Sequence, residues 1–287
     1  MNRTSRCMLA AAATAALLLL MPLYASPRIL VHGHRGARAI YPENTIPAFK
    51  YAIDLGVDYL EMDVAVTKDN VLVISHDPHI NGEICTGPHP GIAIHELTLK
   101  ELREYDCGAL KNPHFPKQHP VPGTRIPTLD EVLSLGEGNS VQFNIETKSF
   151  LDHPELTPTP DVFARMMLDV IRKHKLESRS IVQSFDFRTL RAMKILAPDI
   201  RLSALWEGQA RPFTDIAHEA GAGIVSPAFK LATPEQVKAA HAAHLEVVPW
   251  TADTPEDWQR LIDAGVDAII TDDPAALIAY LRQKHLR

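Results

Sequence analysis

The sequence predicts a (β/α)8 barrel, and three observations lead to it. From about residue 140 onward, short β-branched runs such as VQFNIE and SIVQSF alternate with segments of helical period, which indicates right-handed βαβ units in a parallel sheet. Nine strands can be counted, but two of them are separated only by TKDN and must form an antiparallel hairpin, because a parallel crossover needs about a dozen residues. Eight parallel strands remain, which is the number that closes this barrel.

The predicted elements follow a regular order along the chain. Several helices share a start signal, in which threonine caps free backbone N–H groups and proline occupies the first helical position. These starts are Thr159-Pro160, Thr233-Pro234 and Thr254-Pro255, and Gly265 is expected to end one helix in a left-handed conformation. The strands are expected near residues 29–33, 58–66, 71–75, 141–147, 180–185, 201–205, 222–226, 245–250 and 267–271.

The second β/α unit of the barrel is interrupted. After the antiparallel hairpin and before the third parallel strand, residues 77–135 are predicted to form an insertion on the barrel rim that could cover the active site. Two short helices are expected in it, each opened by a capping box: Thr98 with Glu101, and Thr128 with Glu131.

The N-terminal residues 1–25 have the features of a secretory signal peptide, so the barrel is expected to span residues 26–287. A basic start with Arg3 and Arg6 precedes an apolar run and then small residues, with cleavage expected near Ala25. An uncleaved membrane anchor is the alternative, although the run is shorter than the ~20 residues that span a bilayer. We therefore expect an exported protein, periplasmic or secreted, with no stable membrane span after cleavage.

The cysteines fit an exported chain. Cleavage would remove Cys7 and leave Cys85 and Cys107, both in the predicted insertion. An even number of cysteines in such a chain favours a disulfide, and two ordinary buried thiols are the alternative.

Composition and net charge limit the kinds of molecule that the protein is expected to bind. The formal net charge is −6, and no basic block stands out, which argues against a nucleic-acid partner. The hydrophobic content of 46% is enough for a sizeable core, so a barrel enzyme acting on a small molecule is compatible with the totals.

Carboxylates stand on the predicted parallel strands near their C-terminal ends, where barrel enzymes carry their chemistry. Glu61 and Asp63 lie on the second strand, and Glu146 lies near the end of the third. Three carboxylates that meet at one rim repel each other and need a cation. Because oxygen-only ligation suits Mg²⁺ or Ca²⁺ better than zinc, the sequence predicts one such divalent cation.

Positive and titratable side chains share this rim. His34 and Arg35 follow the first strand, and Lys148 follows the third. A divalent cation with Arg35 and Lys148 makes a positive site that suits a phosphate group. Histidines beside it supply a proton acceptor and a proton donor near neutral pH, which predicts metal-assisted phosphoryl transfer.

The hairpin is expected to bring a second histidine, His76, to the same place. If Thr67 pairs with Asn70 across the turn, Glu61 faces His76. Period-two alternation then places Glu61, Asp63 and His76 on one face of the hairpin.

Each of these residues also has a structural interpretation. His76-Asp77 could be a turn cap, and Lys148 could be a surface lysine paired with Glu146. Convergence at one end of one barrel favours the functional interpretation. The other histidines considered are expected to be structural or exposed: His32, His79, His89, His95, His114, His119 and His153.

The sequence resembles the glycerophosphodiester phosphodiesterase family, in its secreted or periplasmic type. The motifs that carry the resemblance are GHRGARAIYPENTIPAF, DYLEMDVAVTKDNVLVISHD, IPTLDEVL and FNIETK, followed by VQSFD, PWTAD and DAIITDDP. The resemblance spans roughly residues 29–280. The sequence differs from the family pattern directly after His76, where many relatives have an arginine, two threonines and a glycine-rich turn, and this chain has DPHINGEICTGP.

The resemblance implies a role for each matching position. His34 would be the general base and His76 the general acid, and Glu61, Asp63 and Glu146 would be the metal ligands. Arg35 and Lys148 would bind the phosphate and stabilise charge. Glu43 and Asn44 would brace the first loop, and Trp250 would form a pocket wall.

The activity that the resemblance implies is hydrolysis of glycerophosphodiesters, such as deacylated phospholipids, to sn-glycerol 3-phosphate and an alcohol. Two alternatives remain. One is a phospholipase D acting on lysophospholipids, which a wide apolar rim would favour. The other is a catalytically silent barrel that serves as a binding module, which would lack some of the rim residues.

Overall fold

A nearly closed barrel of eight parallel strands, with helices between them, is formed by residues 28–287, the part of the chain that the computed structural model describes. The strands of this part are β1 (Leu30–Gly33), β2 (Tyr59–Val66), β3 (Leu72–Ile74), β4 (Gln142–Thr147), β5 (Ser180–Ser184), β6 (Arg201–Trp206), β7 (Ile224–Pro227), β8 (Glu246–Val247) and β9 (Ala268–Thr271). The short strand β3 pairs antiparallel with β2, outside the parallel order. The predicted barrel with a hairpin after its second strand is confirmed.

The sheet runs in the order β8-β7-β6-β5-β4-β2-β1-β9, and backbone hydrogen bonds connect its two ends. The amide of Asp267 donates to the carbonyl of Val247 at 3.1 Å, and the amide of Ile270 donates to the carbonyl of Pro249 at 3.0 Å. The strand β8 is shorter than the predicted run of 245–250, which contains Pro249, a residue without a backbone N–H for the ladder. This arrangement brings the C-terminal ends of all the parallel strands to one rim.

Except for the short helix Leu99–Leu102, which belongs to the insertion, the helices pack their apolar faces on the outside of the barrel, in one large hydrophobic core. In the described residues they are α1 (Ile46–Leu55), α2 (Leu99–Leu102), α3 (Leu129–Leu133), α4 (Pro160–Lys173), α5 (Phe187–Leu196), α6 (Phe213–Ala220), α7 (Pro234–Ala242), α8 (Pro255–Ala264) and α9 (Pro274–Gln283).

The three predicted Thr-Pro helix starts are all present, but only two of them have a side-chain cap. Thr233 and Thr254 accept hydrogen bonds from backbone amides three residues on, at 3.3 and 3.2 Å. Thr159 makes no such bond, and its φ of −57° differs from the −100° and −117° of the two capping threonines. Gly265 ends α8 at φ 85°, as expected for a left-handed helix terminus.

The predicted insertion builds a small core of its own against the hairpin. Ala65 of β2 and Val73 of β3 pack in it with Leu102 and the rest of this cluster. Both predicted capping boxes are present, at Thr98 and at Thr128. The insertion therefore folds on the β2–β3 hairpin, at the side of the barrel.

A disulfide joins Cys85 to Cys107 in this small core. The chain after it packs against residues 34–45, which connect β1 to α1 and are called the first loop below. There the side-chain amide of Gln118 donates to the carbonyl of Arg38 at 2.7 Å. The insertion thus supports the loop that carries the His-Arg-Gly motif.

The predicted register of the hairpin is wrong by one residue. Val64 pairs with Ile74, and the amide of Ser75 donates to the carbonyl of Asp63 at 3.0 Å, so Asp63 faces Ser75. The cause is the turn, in which Asn70 adopts a left-handed φ of 58° and adds a third residue between the strands. His76 lies beyond the end of β3, so its direction is set by the chain after the strand.

The N-terminal residues 1–27 lie outside the described part of the chain. The predicted signal peptide of residues 1–25, with cleavage near Ala25, falls there and stays a prediction. Within residues 28–287, no helix combines the length and the apolar character that crossing a membrane requires.

Candidate active site

The first loop leaves β1 by a sharp turn that aims backbone amides at the barrel mouth. Arg35 and Gly36 have positive φ angles of 48° and 86°. A Cβ atom at Gly36 would lie 2.8 Å from the backbone carbon of Ala48, so glycine is required there. The turn directs the amide of Arg35 at the carboxylate of Glu61, 2.9 Å away.

Three carboxylates lie together where β2 and β4 run side by side. Asp63 is opposite Glu146 in the parallel register, and Glu61 lies two residues before Asp63 on the same face. The three residues are between 0% and 5% exposed, and one oxygen of each lies within 4.8 Å of the others. Burial and the neighbouring carboxylates raise the pKa of Glu61 well above its ordinary value.

Two buried cations balance part of this negative charge. The Lys148 ammonium lies 2.7 Å from Glu146 and 3.1 Å from Asp63, and Nε of Arg35 lies 3.1 Å from Asp63. Burial alone would raise the pKa of Asp63, but Lys148 and Arg35 hold it well below its ordinary range. Burial raises the pKa of Glu146 to about 7, even though Lys148 opposes the shift.

The carboxylate cluster fits a hard divalent cation. Its ligand atoms are all oxygens, which is the donor set of Mg²⁺ and Ca²⁺. Oδ1 of Asp63 is buried and accepts no aligned hydrogen bond, although the Lys148 ammonium is near enough for an ion pair. A buried carboxylate oxygen that accepts no aligned hydrogen bond is suited to binding a metal ion.

His34 bridges the carboxylate cluster and the last strand. Its Nδ1 lies 2.5 Å from Oδ1 of Asp272, which follows β9, and its Nε2 lies 3.9 Å from Oε2 of Glu61. Burial, followed by the charges of Arg35 and Arg38, holds the pKa of His34 well below its ordinary value. The imidazole is therefore neutral near pH 7, with Nδ1–H donating to Asp272 and a free lone pair on Nε2.

His76 has a carboxylate partner on the same ring nitrogen. Its Nδ1 lies 2.8 Å from Asp77, whose other oxygen accepts from the side-chain amide of Asn81 at 2.9 Å. The hydrogen bond with His76 is the first cause that lowers the pKa of Asp77. The side chain of His76 is 38% exposed, so its remaining nitrogen can reach a ligand at the barrel mouth.

The two residues expected to brace the first loop touch site residues directly. Glu43 accepts from Nη1 of Arg35 at 2.5 Å and pairs with Nη2 of Arg38 at 3.0 Å. The side-chain amide of Asn44 donates to Oδ2 of Asp63 at 2.9 Å. Both residues therefore hold charged groups of the site in place.

A cavity of about 320 Å³, called the central cavity below, opens at this rim. All seven predicted catalytic and metal-binding residues line it, and Trp250 forms part of its opposite wall. Its lining residues all lie outside residues 77–135, so the insertion contributes no side chain to its wall. A larger surface groove of about 710 Å³, between α7, α8 and α9, contains none of these groups.

Comparisons with known proteins agree with this geometry. A sequence profile described as the glycerophosphoryl diester phosphodiesterase family matches residues 34–276. The chain belongs to the glycerophosphodiester phosphodiesterase family. It is 36% identical to the glycerophosphodiester phosphodiesterase of Caldanaerobacter subterraneus subsp. tengcongensis, over 89% of this chain and 99% of that one. It is 30% identical to a Bacillus subtilis enzyme of the same name, over 88% and 86% of the two chains.

Solved structures show the same fold. A Silicibacter pomeroyi protein, provisionally assigned as a glycerophosphoryl diester phosphodiesterase, superposes with a TM-score of 0.85 at 30% identity, over 90% of this chain and 95% of that one. A phosphodiesterase from Oleispira antarctica, solved in complex with the product sn-glycerol-3-phosphate, reaches a TM-score of 0.76 at 22% identity, over 89% and 97% of the chains. The resemblance stated from the motifs is confirmed, and the chain is an enzyme of the phosphoric diester hydrolase class.

The sequence analysis missed three residues that this family member places at the site. Asp272 holds His34, Arg38 lines the central cavity beside Glu43, and Gln183 donates to Oε1 of Glu61 at 2.8 Å. Asp272 and Gln183 stand at or near the C-terminal ends of β9 and β5, so the rule that located Glu146 could also have found them. Arg38 had no comparable signal, because its position depends on the path of the first loop.

Proposed function

We propose that this enzyme hydrolyses glycerophosphodiesters to sn-glycerol 3-phosphate and an alcohol, with a divalent cation held by Glu61, Asp63 and Glu146. The observation that carries the proposal is the position of His34. Its Nε2 faces the carboxylate cluster at 3.9 Å while its Nδ1 is held by Asp272, so a base points at the place where a phosphodiester would bind. Family membership supports the substrate class.

The cation would supply electrostatic stabilisation of the phosphate oxygens and lower the pKa of an attacking hydroxyl when bound. The all-oxygen donor set supports Mg²⁺ or Ca²⁺. Lys148 and Arg35 lie against the same carboxylates, so they are placed to pair with the phosphate and with the charge that develops on it.

The two histidines divide the proton transfers. His34 is neutral and buried, so its Nε2 can accept a proton from the attacking hydroxyl, and Asp272 stabilises the imidazolium that forms. His76 is more exposed and is held by Asp77, so it can donate a proton to the leaving alcohol. This assignment makes His34 the general base and His76 the general acid.

A deacylated substrate is proposed over a lysophospholipid because relatives of 30% identity or more carry the name glycerophosphodiester phosphodiesterase. Phe185 lines the central cavity and also a separate groove of about 580 Å³ that contains Phe150 and Leu151. A lysophospholipid would have to pass its acyl chain beyond Phe185 to reach that groove. The silent barrel is the weaker alternative, because all seven catalytic and metal-binding positions carry a suitable side chain.

Export to an oxidising compartment is part of the proposal. The apolar N-terminal run and the disulfide between Cys85 and Cys107 support it, because disulfides persist in the periplasm and outside the cell.

Product analysis tests the proposed reaction. Purified enzyme would be given glycerophosphocholine or lysophosphatidylcholine, and the products would be followed by ³¹P NMR. We expect sn-glycerol 3-phosphate and choline from the first substrate, and much slower turnover of the second. Release of phosphocholine, or faster turnover of lysophosphatidylcholine, would contradict the proposal.

A further inference from the structure

The wall of the central cavity opposite the first loop differs in chemistry from the metal-binding side. Residues that follow β5, β6 and β8 form it, including Phe185, Glu207 and Trp250. None of the cavity-lining residues contributed by these three strands is a cation. The cavity therefore has a phosphate end at β1–β4 and an aromatic, acidic end, called the aromatic wall below.

The aromatic wall holds two rings in a fixed mutual orientation. The rings of Phe185 and Trp250 lie 5.5 Å apart at an interplanar angle of 87°. The indole N–H of Trp250 donates to the carbonyl of Ser226 at 2.8 Å, so that ring keeps its direction. Phe185 is 40% exposed and lines the central cavity, so its ring is accessible to a ligand there.

Glu207 adds a carboxylate that has no partner within the protein. Among the described residues it makes no ion pair and no side-chain hydrogen bond, although it lines the central cavity. Glu219, on the helix that follows β6, behaves differently, because it pairs with Arg211 at 3.0 Å. An exposed, unpaired carboxylate that lines the same cavity as the two aromatic rings is available to a cation from outside the protein.

We propose that the aromatic wall is a subsite for the quaternary ammonium group of a choline headgroup, which makes glycerophosphocholine the preferred substrate. This rests on the proposed hydrolysis of glycerophosphodiesters. A trimethylammonium group is attracted to the faces of aromatic rings and does not need hydrogen-bond acceptors. The wall offers two rings, one carboxylate and the apolar side chains of Leu205 and Ile270, which suit a cation that carries methyl groups.

The proposal also fits the distribution of charge on the substrate. Two carbon atoms separate the phosphate ester oxygen of choline from its nitrogen. The central cavity contains both the Lys148 ammonium and the Glu207 carboxylate among its lining groups. Opposite charges on the substrate would thus meet opposite charges on the protein at the two ends of one cavity.

The test compares glycerophosphocholine with its uncharged isostere, in which 3,3-dimethylbutanol replaces choline. We expect wild-type kcat/KM to favour glycerophosphocholine by about tenfold, mainly through KM, because a cation near rings and a carboxylate contributes at this scale. Glu207→Gln and Phe185→Leu should each reduce that preference several-fold when the two substrates are compared in the same variant. Glu155→Gln, which removes an exposed charge from the loop after β4, should leave the preference unchanged.

The outcomes separate the subsite from the activity. A wild-type preference near one, or a preference that Glu207→Gln leaves unchanged, would overturn the subsite while the hydrolase remains. No turnover of either substrate by metal-loaded wild type would instead refute the proposed function. Because Glu207 is exposed, its substitution leaves the fold intact, and equal melting temperatures would verify this for both variants.

Discussion

Nδ1 of His34 lies 2.5 Å from Oδ1 of Asp272. Asp272, which follows the last strand of the barrel, therefore orients His34, which follows the first strand. The backbone amide of Asp272 in turn donates to Asp253 at 2.7 Å, and this places the carboxylate next to the imidazole. Burial raises the pKa of Asp272 to about 6, but near neutral pH it is ionised and accepts the Nδ1 proton. The pair sets which nitrogen of His34 is free to act as a base.

Asp272→Asn should therefore impair catalysis without unfolding the protein. An amide can hold the imidazole in the wrong tautomer and cannot stabilise the imidazolium, so we expect kcat to fall by at least about 10²-fold. Asp273→Asn is the matched control, because Asp273 caps α9 through the amide of Ala276 and otherwise pairs only with the exposed Lys117 at 3.5 Å, and asparagine caps almost equally well. Equal loss in both variants, measured as initial rates on glycerophosphocholine, would argue against a specific role for Asp272.

The roles of the two histidines can be separated by the leaving group. An alkoxide must be protonated as it leaves, whereas p-nitrophenolate leaves without help. His76→Ala should lose about 10²–10⁴-fold on glycerophosphocholine and much less on a glycerophosphodiester with a p-nitrophenyl group. His34→Ala should be impaired on both substrates, and His79→Ala, which changes an exposed histidine of the insertion, on neither. Rescue of His34→Ala by the activated substrate would reverse the assignment, and rescue of neither would refute acid–base catalysis by this pair.

The disulfide should stabilise the fold measurably. The cysteines are 22 residues apart, and a crosslink that closes a loop of this length contributes about 3 kcal/mol in the chain-entropy model. Replacing Cys85 and Cys107 together with serine should lower the free energy of unfolding by about that amount in denaturant titrations. Reduced wild type should match the variant. Two thiols that alkylate without prior reduction in the exported protein would contradict the bridge.

His32 should make the protein sensitive to acid. Burial, followed by the charge of Arg201, lowers its pKa from 6.5 to about 3. Because the folded state disfavours the charged imidazole, stability is complete above the unfolded pKa and is lost as the pH falls below about 6.5. Between pH 6.5 and 4.5 this one group costs about 2 kcal/mol. In unfolding titrations His32→Gln should flatten the decline by that amount, and His89→Gln, at an exposed position, should not. Parallel curves for wild type and His32→Gln would contradict this.

The sequence predicted correctly those elements whose local residue pattern is strong. The strand that carries Glu146 was predicted correctly, because a β-branched run in which polar and apolar residues alternate is typical of a strand and of few other structures. The register of the hairpin failed at one residue, Asn70, whose left-handed conformation is permitted but not required by its side chain.

Asp272 was overlooked for a different reason. It stands next to Asp273, and an Asp-Pro pair before a helix reads as a cap, which Asp273 does provide. Two identical side chains in sequence thus have separate tasks, and only the barrel brings one of them to His34, 238 residues away in the chain. Gln183 likewise contacts Glu61 from a different strand, 122 residues away in the chain, whereas Arg38 depends on the path of the first loop.

The most direct test of the account is the metal dependence of sn-glycerol 3-phosphate release. Enzyme stripped with a chelator, and shown by elemental analysis to hold far less than one metal ion per chain, would be assayed on glycerophosphocholine before and after adding Mg²⁺ or Ca²⁺. The account predicts that the stripped enzyme is inactive, that one of these ions restores it, and that Glu146→Gln lowers both ion affinity and restored activity by orders of magnitude. Full activity of the stripped enzyme would contradict a catalytic metal at Glu61, Asp63 and Glu146.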